Sequence, residues 1–415
     1  MILTLVCSAP VLERVVTTMS DRNRSFHLSR RQVMRGLLAT SAFGLTAKFS
    51  TGCAQSPSPG GGAAADGGAP EELVVGFIYV GPKDDFGYNQ AHAEGAAAMA
   101  ANVPGIRLIE EASVPETTAV AETMRSMIEI DGAKVLFPTS FGYFDPHILA
   151  LAQEFPDVQF FHAGGLYQEG VHPKNVCSYF GYIDEAQYVA GVVAAHMSPA
   201  GKLGFVAAKP IPQVLRNVNS FTLGARSVNP AATTQVIFTG DWSVPVKEAE
   251  ATNSMADQGI EVITCHVDSP KVVMETAERR GVMTSGYHAN QSPLAPKGYL
   301  TGAEWDWSSI YTQLGQEVMA GKTLMAGDIP HILRGGLAEN FCKLSPYGPA
   351  VSDEAKAAGD AALAAIESGE LVIYAGPLQT NTSSEVLPAG KDLQIDNIEL
   401  EKMDYFVEGV IGSVS

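Results

Sequence analysis

The chain has 415 residues, of which 46% are hydrophobic and 17% charged, with a formal net charge of −18. That length exceeds one compact core and predicts two domains plus appendages. The acidic balance excludes a surface that gathers nucleic-acid phosphates, and no stretch after residue 50 approaches the ~20 unbroken apolar residues of a membrane span.

The first fifty residues read as an address. Ser29-Arg30-Arg31-Gln32-Val33-Met34-Arg35 carries paired arginines, an apolar run follows from Gly36 to Ala47, and Ser50-Thr51-Gly52 places small residues before Cys53. A basic region, a short apolar core and a small-residue cleavage site make a signal peptide rather than a membrane helix. The arginine pair resembles the twin-arginine export signal. The segment before Cys53 resembles a lipoprotein box, with Ser50 where such boxes carry Leu. Cys53 is therefore the expected lipidation site, and simple cleavage is the alternative. Met19 is a second candidate start. Residues 1–52 hold seven basic and two acidic side chains, so the remainder carries −23 against −18 for the whole. Beyond Cys53 only Cys177, Cys265 and Cys342 remain, with no CxxC spacing, which predicts buried free thiols rather than a disulfide framework.

Ala54–Pro70 is Ser, Pro, Gly and Ala with one Gln and one Asp, a flexible tether. From Glu71 strand and helix signals alternate. Leu73–Val80 is an apolar run suited to a doubly covered strand, and Ala91–Asn102 and Thr118–Ile130 are helical. Then come strand 134–138, helix 146–154, strand 159–163, helix 185–197, strand 202–207 and helix 213–228. The alternation continues with strand 235–239, helix 246–257, strand 261–265, helix 270–280, strand 281–287 and helix 308–320. Ala355–Ser368 is a further helix and Leu371–Ala375 a strand. Such alternation predicts an α/β fold of parallel sheets covered by helices. Pro199-Ala200-Gly201 breaks the pattern midway, which favours two open sheets, the second restarting as a second lobe would, over one barrel. The predicted division is 1–52 export signal, 53–70 tether, 71–186 plus 304–335 N-terminal lobe, 187–303 plus 336–390 C-terminal lobe, and 391–415 tail.

Open α/β sheets bind ligands outside the carboxyl ends of their strands. Those ends carry Asp85-Phe86-Gly87-Tyr88-Asn89-Gln90, Ser140-Phe141-Gly142-Tyr143, Asp241-Trp242-Ser243, His266-Val267-Asp268 and His288-Ala289-Asn290-Gln291. Aromatic faces alternating with amides and carboxylates suit a flat polar ring, stacked on its faces and hydrogen-bonded at its edges.

The loops, together with Asn219-Ser220-Phe221-Thr222-Leu223-Gly224-Ala225-Arg226, resemble the basic membrane protein family of ABC-transporter substrate-binding lipoproteins, which includes purine nucleoside receptors. The resemblance runs from about Val75 to Ala320. It implies two Rossmann-like lobes with parallel sheets joined by a hinge, a clamp (the periplasmic-binding-protein type I plan) closing on a small molecule. It further implies a purine sandwiched between Tyr88 and Trp242, with Asp85, Asn89 and Asp268 reading the ring edge. Phe86, Phe141, Asn290 and Trp307 complete the candidate ligand-binding set. Nucleoside-binding relatives carry an Asp-x-Asp-Gln stretch and a lysine for the ribose. Here those places hold His288-Ala289-Asn290-Gln291 and Glu304-Trp305-Asp306-Trp307, which favours a free base such as adenine or hypoxanthine. A nucleoside, riboflavin or a sugar stays open as alternative cargo. The implied partners are importer permease and ATPase subunits, with the chain acting as a monomer, exported and held at the cell membrane by its lipid, facing the periplasm or the exterior.

No catalytic residue, metal site or cofactor is expected. His162, His266 and His288 lack HxxxH or HExxH spacing, and neither a GxSxG elbow nor a GxxxxGK[ST] loop occurs. A sugar-responsive repressor domain would share the two-lobe plan, but the N-terminus offers an export signal in place of a DNA-binding headpiece.

Overall fold

The computed structural model describes residues 72–414. The export signal, Cys53 and the tether lie outside the described residues. The elements follow in chain order: β1 (Leu73–Ile78), α1 (Tyr88–Asn102), β2 (Ile106–Glu111), α2 (Thr118–Glu129), β3 (Val135–Pro138), α3 (Leu149–Glu154), β4 (Gln159–Ala163) and β5 (Val176–Gly181). Then come α4 (Asp184–Met197), β6 (Lys202–Ala207), α5 (Pro212–Val228), β7 (Thr233–Phe238), α6 (Pro245–Asp257), β8 (Val262–His266), α7 (Lys271–Arg280) and β9 (Met283–His288). The last major elements are β10 (Tyr299–Trp305), α8 (Trp307–Met319), β11 (Ile332–Gly335), β12 (Cys342–Leu344) and α9 (Asp353–Glu367).

Two large sheets form among the described residues, beside two short antiparallel ladders in the C-terminal segment. The first runs β11-β5-β4-β3-β1-β2, and the second β12-β10-β9-β8-β6-β7 followed by the short strand Val410–Ile411. All pairings within these two large sheets are parallel except β12, which runs antiparallel to β10. The fold is thus α/β with two parallel-stranded lobes. Within each sheet the strand order reverses beside the first strand of the lobe: between β1 and β3 in one, between β6 and β8 in the other. Such switch points open a crevice between diverging loops, where α/β folds bind ligands.

Several strands run counter to the sequence expectation. β2 has only intermediate or exposed residues, which weakens its apolar signal. β10 is buried throughout yet contains Thr301 and Glu304, and its polar residues mask it as a strand. Residues 391–415 are not merely a tail, since Val410–Ile411 pairs in parallel with β7. Cys177, Cys265 and Cys342 are buried and free.

The chain crosses between lobes at Tyr182–Ile183, at Asp306 and within 336–341. The crossings brace one another. Tyr182 N donates to Gly335 O at 2.8 Å, Asp306 N to Phe341 O at 2.9 Å, and Leu337 N to Glu185 Oε2 at 2.7 Å. Below the first crossing, Arg216 on α5 is 5% exposed and bonds both Asp184 oxygens, at 3.0 and 3.3 Å, and Glu401 at 3.1 Å. An ion pair this deep organises geometry, and removing one partner alone leaves a buried charge.

In the C-terminal lobe α4 and α5 meet backbone to backbone. A Cβ at Gly191 would lie 2.0 Å from Phe221 O, and one at Gly224 would lie 2.0 Å from Tyr188 O. The two glycines are reciprocal, each making room for the other helix's main chain. Gly224→Ala therefore overpacks the interface and should destabilise the protein by about 1–3 kcal/mol, read as a lower urea midpoint with an unchanged slope. An unaltered midpoint would mean that the helices separate freely.

Candidate functional site

The site begins at the β1/β3 switch point. The loop after β1 turns at Phe86, whose φ of 54° is unusual for a non-glycine residue. Asp85 holds the turn: Oδ1 accepts from Gly87 N and Gln90 N, and Oδ2 from Asn89 N and Asn89 Nδ2, all within 3.1 Å. These donors include the open N-terminal groups of α1, which need acceptors from outside the helix. Asn89 is engaged at its other end too, its Oδ1 accepting from Gly81 N at 3.0 Å.

Asp85 and Asn89, expected at the ring edge, use these polar atoms to build the loop. Tyr88, Asn89 and Gln90 also belong to the first turn of α1 rather than to the loop. The hydroxyl of Tyr88 donates to Thr139 O at 2.5 Å, spanning the β1/β3 switch point.

Across the cleft the loop after β8 meets this turn. Tyr88 N donates to Asp268 O at 3.0 Å, and Asp268 N donates to Trp242 O at 2.8 Å. Ser269 Oγ donates to Asp85 O at 2.9 Å, and Gln291 Nε2 to Phe86 O at 2.6 Å. The Phe86 ring lies under Lys271 Nζ at 5.7 Å. One residue, Asp268, thus joins Tyr88 and Trp242 through its own backbone. The lobes touch here.

The wall between them is made of rings. Tyr88 stands edge-on to His92 at 4.5 Å and to His288 at 5.5 Å; His288 stands edge-on to His266 at 5.8 Å; and His266 lies 5.9 Å from Trp242. Asn217 Nδ2 donates to His266 Nδ1 at 2.8 Å, and Trp305 Nε1 to His288 Nδ1 at 2.8 Å. Burial lowers the pKa of His92 and His266 to about 3, and that of His288 well below the ordinary value, with His266 and His92 adding to the effect. The ring wall is neutral. His92, His266, His288, Asn217 and Trp305 were absent from the candidate set, since a lone His or Asn carries no spacing signal. Only the strand-end rule pointed at His266 and His288.

The other candidates are distributed. Trp242 is partly buried, with Lys209 Nζ 5.5 Å above its ring. Phe141 is 61% exposed at the mouth of a cavity of about 300 Å³, which continues past Asn217 to Tyr182, Arg216, Arg334 and Glu401. Asn290 Oδ1 accepts from Ser292 N at 2.9 Å, a local turn. Trp307 is 1% exposed, stacked on His92 at 5.2 Å and on Trp305 at 4.8 Å, and its buried indole Nε1 has no hydrogen-bond partner among the described residues. Large apolar surface at a hinge-side helix start serves packing as readily as a ligand. No cluster of metal-ligating residues occurs among the described residues.

A family model described as ABC transporter substrate-binding protein, PnrA-like, matches residues 72–355. The chain belongs to this family. A purine-binding protein of Brucella abortus (strain 2308) is 35% identical over 344 residues, 82% of this chain and 94% of that one. A putative ABC transporter glucose-binding protein of Haloferax volcanii is 33% identical, covering 84% of each. An ABC transporter solute-binding protein from Conexibacter woesei shares the fold, with a TM-score of 0.60 at 24% identity over 72% of this chain and 97% of that one. The substrate-binding protein described here is the ligand-binding component of an ABC transporter and not an enzyme.

Electrostatics couples the lobes. The Asp268 carboxyl is pushed up to about 7, first by burial and then by Asp85, Glu116 and Asp241, with Lys209 opposing. Asp85 and Glu116 belong to the facing lobe, so closing the lobes raises this pKa above its open, solvated value. Closure is then favoured in full below the ordinary carboxyl range, and the advantage is lost as pH rises through about 7. Small-angle scattering of the unliganded protein should show a larger closed fraction at pH 5 than at pH 8, with Asp268→Asn flattening the dependence. A pH response that Asp268→Asn leaves intact would assign it to another group, such as hinge-side Glu185, also raised to about 7 by burial.

Proposed function

We propose that this substrate-binding protein captures a free purine base, adenine- or hypoxanthine-like, between its lobes and delivers it to an importer. Capture is by hinge closure: contacts supplied from both lobes exist together only when the lobes meet, so ligand shifts the population to that state. The carrying observation is the neutral ring wall from Tyr88 through His288 and His266 to Trp242, with the Asp268 carboxyl, which has no hydrogen-bond partner among the described residues, beside it. Rings supply faces for stacking, and Asp268 supplies an edge partner for a ring N–H or amino group. The purine-binding relative from Brucella abortus supports the same cargo.

A base is favoured over a nucleoside because the 288–291 stretch has few polar atoms left for a ribose. His288 Nδ1 is held by Trp305, Asn290 Oδ1 by Ser292 N, and Gln291 by the backbone of Tyr287 and Phe86. Glu304 is engaged by Ser345 Oγ. The Haloferax volcanii relative, named as putatively glucose-binding, keeps a sugar as the second reading. A pyranose also stacks on aromatics, but it needs several hydroxyl partners, which the engaged Asp85 and Asn89 do not offer. Export, lipidation at Cys53 and a monomeric chain at the cell membrane complete the proposal, supported by the sequence of residues 29–53.

Calorimetric titration with adenine, hypoxanthine, their nucleosides, riboflavin and glucose tests the cargo. Binding of bases ahead of all others is expected, and tight glucose or nucleoside binding with none by bases would overturn it. Trp242→Ala should weaken base binding by about 1–3 kcal/mol through lost stacking. Gly87 tests closure, because a Cβ there would stand 2.0 Å from Asp268 O. Gly87→Ala should keep the melting temperature of the unliganded lobes, hold the cleft open in scattering, and weaken binding about 10-fold or more. Wild-type affinity in that variant would show that closure does not pass through this contact.

A further inference from the structure

His288 ends β9 at the floor of the cleft, 3% exposed and with φ 74°, in the left-handed region that a side chain with a Cβ avoids. Its Nδ1 accepts from Trp305 Nε1 at 2.8 Å. An indole N–H can only donate, so Nδ1 is the bare nitrogen and the proton of the neutral ring sits on Nε2. That Nε2 is buried and makes no well-formed hydrogen bond among the described residues, although a weak hydrogen bond with the Val267 backbone opposes the lowering of the ring's pKa. Tyr88 from the opposite lobe is 5.5 Å away and His266 5.8 Å, so the unpaired donor stands within the ring wall, not in a lobe interior. A strained backbone, a fixed tautomer and a buried donor left unpaired are each unfavourable for the unliganded fold, and they coincide in one residue.

We infer that His288 is a specificity-determining donor: its Nε2–H reads a bare lone pair on the ligand edge, a ring imine nitrogen or an exocyclic carbonyl, and Trp305 is the positioning residue that fixes the donating tautomer. The inference rests on the purine reading of the same cleft. A base with a C–H, N–H or amino group at that edge leaves the donor buried and unpaired, which is the strongest form of hydrogen-bond discrimination.

The test uses the folded, full-length mature protein and a set of purines in which single ring nitrogens are replaced by C–H (1-, 3-, 7- and 9-deaza analogues), with hypoxanthine and adenine as parents. In wild type one replacement position should lose about 10- to 100-fold in affinity. In His288→Asn, chosen because Asn tolerates positive φ, the parent loses a similar factor and the same analogue loses nothing further. Imidazole ¹⁵N shifts should place the proton of His288 on Nε2 in wild type, and Trp305→Phe should mix the tautomers and weaken the parent without restoring the analogue. Equal losses for every analogue in both proteins, or an Nδ1–H tautomer in wild type, would overturn the inference while leaving the purine reading standing. Wild type that binds no purine at all would overturn both.

Discussion

The peptide of Asp268 is where the two lobes become one molecule. Its carbonyl accepts from Tyr88 N, its own N–H donates to Trp242 O, and the neighbouring Ser269 and Gln291 reach Asp85 O and Phe86 O. The first turn of α1 depends on this contact, since Asp85 satisfies the N–H groups of Asn89 and Gln90 while that of Tyr88 is satisfied only from the other lobe. The helix end is complete only when the cleft is shut. Opposing this, closure drives the Asp268 carboxyl toward Asp85 and Glu116. A few neutral hydrogen bonds, each worth about 1 kcal/mol net, are thus set against carboxylate repulsion and desolvation. The two act in opposite directions, and a ligand that contacts both lobes shifts the population by its differential affinity for the closed state.

Balance of that kind requires a hinge that does not wander. The three crossings are hydrogen-bonded to one another rather than to either lobe's periphery, so they bend as a unit. Arg216 anchors the first crossing through Asp184 and ties in Glu401 from the C-terminal segment, while Arg334 at the end of β11 approaches the same Glu401 at 3.7 Å. The second crossing begins at Trp305, whose indole orients His288.

The alternation of strand and helix was legible because doubly covered parallel strands are continuous apolar runs, as in Leu73–Ile78 and Val135–Pro138. β10 and β2 were not: the first is buried but carries Thr301 and Glu304, the second is an edge strand with no apolar contrast. The strand-end rule singled out Tyr88, Trp242 and Asp268, which the structure brings together through the Asp268 backbone. It could not say what each polar atom does. Asp85 and Asn89 have the right chemistry and position to meet a ligand, yet an open helix N-terminus one turn away takes them first. Trp307 sits one residue beyond the hinge, a distance that sequence cannot convert into inside or outside. His288 registered in the sequence only as a missing carboxylate, and its contact with Trp305 is legible only in the structure.

Charge is distributed so that the exterior and the cleft do different work. Beyond residue 52 the chain carries −23, while the cleft is walled by rings held neutral by burial. An acidic field repels phosphorylated purines before they reach the cleft and leaves an uncharged base unaffected. Inside, exclusion of the nucleotide would continue by a second mechanism, because a phosphate would meet Asp268 with its compensating Lys209 already in contact with Asp241 at 2.8 Å. Discrimination against charged relatives of the proposed cargo then comes from repulsion at both stages, and stacking need only supply affinity.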